Sequence, residues 1–258
     1  MNVIVCVKQI PDPAMPGELD PSTKTLKRSG KLILDESDGY GVEMALQLVD
    51  AAGGGEVGLV SMAPNGEVSG LRTALAMGAS KGVLVSDPEL QGTDALTTAK
   101  VLAAATKRLG DADLIIAATE SSDGYTGTVP EQMAEVLGLP SVTFAKSVTI
   151  EDGVLKVNRQ TEAGYDEVTC TLPAVVSVTA GVVEPRYPSF KGIMAAKSKP
   201  VEEVTVSDLG VSPVGWAGAN QEIVEVSDAP ERQAGEIVTD EGESHLKIVA
   251  FLENLKVL

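Results

Sequence analysis

The chain has very little histidine, cysteine, aromatic residue and positive charge, and each shortage removes a class of function. The single histidine, His245, falls in the last helical segment with no partner nearby, so a Ser-His-Asp or Cys-His catalytic set has nowhere to assemble. The two cysteines, Cys6 and Cys170, lie far apart in apolar, strand-like runs. That spacing offers no zinc site and no disulfide framework, and it suits reduced, packed thiols. Twenty basic residues face 37 acidic ones, a net charge of −17, which argues against nucleic acid or an anionic membrane as a partner. No segment reaches the roughly 18 uncharged apolar residues of a membrane span. The start, MNVIVCVKQIPDP, meets Lys8 too soon for a signal peptide, so the expectation is a soluble, cytoplasmic protein without membrane insertion.

What is present is alternation. Short β-branched runs at Val3 to Val7, Val57 to Ser61, Gly82 to Val85, Leu114 to Ala117 and Ala174 to Val178 are separated by helical stretches. The latter are Tyr40 to Ala51, Glu67 to Met77, Ala95 to Leu109 and Pro130 to Leu137. This pattern predicts an α/β fold with a mostly parallel, doubly wound sheet covered by helices. A polar excursion, Pro11 to Arg28, precedes Lys31 to Leu34, read as a small hairpin or strand at the sheet rim. From Val201 the period is lost and Pro, Gly and Asp become dense, which predicts an extended arm. The division expected is therefore 1–200 for the α/β domain and 201–258 for an arm and terminal helix. That helix, Glu241 to Leu258, has nine apolar residues among the thirteen from Leu246. A helix apolar on most sides is buried on most sides, against the chain's own sheet or another subunit.

Gly53-Gly54-Gly55-Glu56-Val57-Gly58 satisfies the G-x-G-x-x-G pattern, but in the wrong context. The dinucleotide fingerprint needs a strand before it and a helix after it, whereas here a helix precedes and a strand follows; the glycines read as a helix-terminating turn. The better phosphate candidate is Asp123-Gly124-Tyr125-Thr126-Gly127-Thr128-Val129-Pro130-Glu131. It follows a strand, so it sits at a carboxyl edge of the sheet, and it opens a helix with Pro130 in the first turn. Glycines, hydroxyls, free amide N–H groups and the positive end of the helix dipole make good anion chemistry. Thr128 and Glu131 also fit a capping box, which needs no ligand.

Between Arg159 and Lys197 an acidic turn (Glu162, Asp166, Glu167) leads to a strand interrupted at Pro173, then to Glu184-Pro185-Arg186-Tyr187-Pro188. Two prolines keep the last segment out of helix and central strand, giving a stiff loop that presents Tyr187 and Phe190 in a chain with only 3% aromatic residues. Rings on a rigid loop suit partner docking; the alternative is that they fold back onto the core. Ala195-Ala196-Lys197-Ser198-Lys199 is one of the few basic clusters.

Leu172-Pro173-Ala174-Val175-Val176, Glu184-Pro185-Arg186-Tyr187 and Ile193-Met194 together resemble the signature region of the electron transfer flavoprotein beta subunit. The resemblance covers residue 1 to about 210 and continues more weakly to the last helix. It implies a Rossmann-like fold of the adenine nucleotide alpha hydrolase type, and an electron-carrying subunit rather than a stand-alone enzyme. The implied partner is an alpha subunit that holds most of the FAD site and is wrapped by the C-terminal region. Electrons would arrive from acyl-CoA and related dehydrogenases of fatty acid beta-oxidation and leave to a membrane quinone oxidoreductase. The resemblance also implies a structural AMP held by Asp123 to Glu131 with Gln132, Met133 and Ala134. Its adenine and ribose would lie near Cys6, Asp35, Glu36, Ser37, Asp38 and Met62. Docking falls to Glu184, Pro185, Arg186, Tyr187, Phe190, Ile193 and Met194. The chain departs from the family where Asp35-Glu36-Ser37 replaces an Asn-Pro-aromatic pattern and where an aromatic near Pro13 is missing, which bears on its contact with the flavin. A bifurcating relative would hold a second FAD in place of AMP. A stand-alone universal-stress module would share the fold, but Gly138 comes one residue late for its signature and is followed by Leu139.

Overall fold

Val3, Val5 and Val7 join one apolar cluster while Ile4 and Cys6 join another, so the first strand is buried on both faces, as a central parallel strand must be. The computed structural model describes residues 1–231, 235, 237–240 and 242–257. In chain order the elements are β1 (Asn2–Cys6), β2 (Gln9–Pro11), β3 (Leu32–Leu34), α1 (Glu36–Ala51), β4 (Glu56–Met62), α2 (Ser69–Met77), β5 (Lys81–Val85), α3 (Ala95–Thr106), β6 (Leu114–Ala118) and α4 (Val129–Leu137). They continue with β7 (Ser141–Glu151), β8 (Val154–Thr161), β9 (Gly164–Thr171), β10 (Ala174–Val178), α5 (Phe190–Ala196), β11 (Val201–Val204), α6 (Val206–Leu209), α7 (Gly215–Gly218) and α8 (Ser244–Asn254).

The main sheet runs β11-β5-β4-β1-β6-β10-β7-β8-β9. Every pair from β11 to β7 is parallel, and β7, β8 and β9 add an antiparallel meander. Val42 of α1 with Leu71 and Leu75 of α2 cover one face, while Ala99 and Leu102 of α3 with Met133 of α4 cover the other. The fold is α/β and doubly wound. The chain leaves β1 toward β4 and β5, then returns to β6 on the opposite side of β1. This reversal is the topological switch point where such sheets bind ligands beyond their carboxyl ends.

Three expectations are corrected. The β2–β3 pair forms its own small antiparallel sheet rather than joining the rim of the main one. The Gln9 side chain fixes it to the start of α2, donating to Glu67 O and accepting from Gly70 N–H, and Ser69 Oγ donates to Leu32 O. Residues from Val201 do not begin an arm, since Val201–Val204 pairs in parallel with β5 as an edge strand. The chain instead divides at 222/223, into Met1–Glu222 and Ile223–Leu258. Edge position explains why Val-Glu-Glu-Val carried so weak a strand signal, because charges on an edge strand can remain in water. In the second unit, taken alone, α8 is shorter than expected, and the anticipated ends Glu241 and Leu258 lie outside the described residues. No residue of α8 is buried; Leu246, Ile248 and Phe251 are exposed.

The glycines at 53–55 close α1 and precede β4, at the amino edge of the sheet and therefore opposite the switch point.

Candidate functional site

The loops after β1 and β6 meet the start of α1 at the switch point, and three aspartates join them. Asp35 caps α1 by accepting from Ser37 N–H, and its carboxylate also accepts from Ser122 N–H at 2.7 Å and Ser122 Oγ at 3.0 Å. One fully buried side chain thus fixes the first helix to the loop after β6. Asp38 accepts from Lys8 N–H at 2.5 Å. Burial, reinforced by the Asp35 charge, pushes its carboxyl well above the ordinary range. Asp123 is bridged by Lys8 Nζ at 2.5 Å and by Arg28 Nε at 2.9 Å. Burial alone would raise its pKa, but these two cations hold it below the usual carboxylate value. The aspartates therefore act as struts beneath the crevice. Glu36 is exposed and Ser37 half-buried at its edge.

Gly124, Tyr125, Thr126, Gly127 and Thr128 run from these struts to α4. Gly127 adopts φ +68°, and a Cβ there would stand 3.2 Å from Glu120 Oε2. The capping box that Thr128 and Glu131 offered as the ligand-free alternative does not form, because Thr128 makes no side-chain cap bond and its Oγ1 instead accepts from Gln132 Nε2. The backbone N–H groups of Thr126, Gly127, Thr128, Val129 and Glu131 find no acceptor among the described residues. Pro130, in the first turn, has none to satisfy. Glu131 Oε2 and Gln132 Oε1 are buried without a donor among the described residues. Orphaned donors at a helix start beside orphaned buried acceptors fit a ligand with both anionic oxygens and hydroxyl groups. An adenylate, with its phosphate and ribose, has both.

Other anticipated residues lie deeper. Cys6 Sγ contacts Met133 Sδ at 3.7 Å, and burial pushes the thiol up to about 12, so it is an inert packed group. Ala134 is buried beside Met133, and Met62 and Val129 pack partly buried on the same cluster. Cys6, Met133 and Ala134 can therefore approach a ligand through backbone atoms only. Tyr125 is exposed at the mouth of the loop, with φ +49°.

On the face carrying α2 and α5, Arg186 forks onto Glu43 of α1, with Nε to Oε2 at 2.6 Å and Nη2 to Oε1 at 3.0 Å. Burial opposes charge on Glu43, yet Arg186 keeps its carboxyl below the usual range. This fork holds a loop whose tip leaves Tyr187 94% and Phe190 81% exposed. Glu184 is exposed, Pro185 half-buried, and Ile193 and Met194 extend the exposed apolar surface along α5. Arg72, which sequence reasoning missed, and Lys199, read there only as part of a basic cluster, hold α5 against α2. Arg72 Nη1 donates to Ala196 O and Lys199 O, and Lys199 Nζ donates to Leu75 O and Ala79 O. Arg72 thereby satisfies carbonyls at and just beyond the end of α5, and Lys199 does the same at the end of α2. Gly192 permits the approach, since a Cβ there would come within 2.4 Å of Ala76 O.

Among the described residues, no group of three or more His, Cys, Asp and Glu could hold a metal ion, and no helix is long and apolar enough to cross a membrane.

The electron transfer flavoprotein domain matches residues 23–209. An electron transfer flavoprotein subunit beta from Mycobacterium tuberculosis is 40% identical across 100% of this chain and 99% of the relative. The chain belongs to the electron transfer flavoprotein beta-subunit family. A Mycobacterium leprae protein of the same name is 38% identical over 100% of this chain and 99% of its own length. A subunit of the caffeyl-CoA reductase-Etf complex of Acetobacterium woodii is 35% identical over 93% and 92%. The electron transfer flavoprotein match spans both the loop before α4 and the loop before α5.

Proposed function

We propose that this chain is the AMP-binding beta subunit of a two-chain electron carrier, paired with an alpha subunit that holds most of the FAD. FAD, when bound, supplies the redox chemistry. The residues of this chain bind, brace and dock. The observation that carries the reading is the row of N–H groups from Thr126 to Glu131, unpaired among the described residues, beside the oxygens of Glu131 and Gln132 that likewise find no donor there. The N–H groups would cradle the AMP phosphate at the positive end of α4, and the two oxygens would accept from ribose hydroxyls. Lys8, Arg28, Asp35 and Asp123 would keep the loop in its binding shape. AMP would thus be structural, completing a fold that otherwise leaves polar groups unsatisfied. The chain is read as a carrier subunit, redox-active only with its partner.

The second unit would serve the pairing. Its described residues from Ile223 to Glu243 form no helix or strand, and α8 then exposes an apolar surface that the alpha subunit would cover. Glu184 to Met194 would dock acyl-CoA and related dehydrogenases, with Phe190 as the anchor and Tyr187, Ile193 and Met194 around it. A membrane quinone oxidoreductase would take the electrons onward.

Gly127→Val tests the nucleotide site. A β-branched residue at φ +68° is strained by roughly 1–3 kcal/mol, enough to shift the loop. Bound AMP per heterodimer is expected to fall about tenfold or more while FAD content is unchanged. AMP retained at the level of the unmodified protein would contradict the assignment.

A further inference from the structure

A groove of about 530 Å³ opens between α2 and α5, lined by Ser69, Arg72, Thr73, Ile193 and Lys197 among others, and among the described residues no carboxylate lines it. Its charge runs against the rest of the molecule. Residues 185–201 carry Arg186, Lys191, Lys197 and Lys199 and no acid, in a chain of net −17. Arg186 is committed to Glu43 and Lys199 is turned inward onto α2 carbonyls. Lys197, by contrast, is exposed in the groove. Arg72 spends Nη1 on Ala196 O and Lys199 O, which leaves its Nε and Nη2 donors without an acceptor among the described residues. The groove is preformed, because the Arg72 and Lys199 bonds fix its walls. Ile193 belongs both to the groove and to the exposed apolar surface around Phe190, so one partner reaches both.

We infer that this groove receives an acidic segment of the redox protein that docks at Phe190, with a carboxylate seated between Arg72 and Lys197. The inference rests on the docking role proposed for α5 and adds the chemistry of what docks. An arginine fork with a neighbouring ammonium matches a carboxylate, and a cationic slot on an acidic molecule orients an acidic partner during approach. A concave slot also suits a protruding side chain better than a flat anionic bilayer, which the overall charge would repel.

The test uses the intact heterodimer, reduced by an acyl-CoA dehydrogenase at low and at high salt, in Lys197→Glu, Thr73→Glu and Phe190→Ala variants. Lys197 and Thr73 are exposed, so both charge variants are expected to fold. Each is expected to slow the second-order rate about tenfold at low salt and to converge on the parent rate at high salt. Phe190→Ala is expected to be slow at both. If Lys197→Glu and Thr73→Glu react at the parent rate at low salt while Phe190→Ala is slow, the acidic-segment inference is overturned and docking stands. Slowing by the charge variants that persists at high salt overturns it too, since that reports lost shape rather than lost charge. Anionic vesicles that capture the parent but not Lys197→Glu, with the dehydrogenase rate unchanged, would assign the groove to a lipid surface instead. If Phe190→Ala is also as fast as the parent, the docking reading itself falls.

Discussion

Phe190→Ala is expected to weaken dehydrogenase-coupled reduction by about thirtyfold to a thousandfold while leaving bound FAD and AMP intact. A central apolar anchor at an interface is worth about 2–4 kcal/mol, and every 1.4 kcal/mol is a factor of ten. Phe190 is 81% exposed at the first position of α5, so its removal opens no cavity, and fold stability should stay within about 0.5 kcal/mol. The ring is held out by its neighbours. Ser189 caps α5 by accepting from Gly192 N–H, the Arg186–Glu43 fork fixes the preceding loop, and Arg72 fixes the end of the helix. Stopped-flow reduction by an acyl-CoA dehydrogenase, beside a cofactor count, checks both halves. An unchanged reduction rate would remove the anchor assignment.

Asp35→Ala should have the largest structural effect at the nucleotide crevice. The substitution deletes a helix cap, worth about 0.5–2 kcal/mol, and strands the half-buried Ser122 N–H and hydroxyl, which costs about 1–3 kcal/mol more. A total near 3 kcal/mol should lower Tm by about 6–12 °C for a chain of this size. It should also release AMP, because Ser122 adjoins Asp123 at the root of the binding loop. Asp35→Asn keeps an oxygen acceptor and a strong capping residue, so it should cost under about 1 kcal/mol and retain AMP. Thermal denaturation of the two variants, each with its nucleotide content, makes the comparison. Equal losses for Asn and Ala would mean that the negative charge, rather than the hydrogen-bond acceptor, is what matters.

How much of this was legible follows from where each signal lies. Runs such as Val3 to Val7 and Ala174 to Val178 are apolar on both faces and can hardly be anything but central strands, so the parallel sheet could be read directly. The β7–β9 meander could not. β8 alternates buried and exposed positions in Val154-Leu155-Lys156-Val157, β7 buries only scattered residues and β9 buries none, so a search for fully buried runs passes over all three. The α4 loop was visible because glycines, threonines and a proline at a helix start are local features. The strut role of Asp35 was not, since its partner Ser122 lies 87 residues away and Asp-Glu-Ser-Asp reads as a turn by itself. Separations of 120 to 127 residues likewise hid the bonds that Arg72 and Lys199 make. Cys6 and Met133 were named as ligand neighbours through resemblance. Their sequence context, apolar in both cases, was equally that of the core in which their side chains pack.

The measurement that tests the central claim most directly is a count of nucleotides released from the chain purified under native conditions with whatever polypeptide accompanies it. One FAD and one AMP per complex, together with a second polypeptide, is the predicted result. AMP or ATP without flavin or a partner chain would contradict the account in favour of a solitary nucleotide module, and two FAD without AMP would overturn the assignment of AMP to the α4 site.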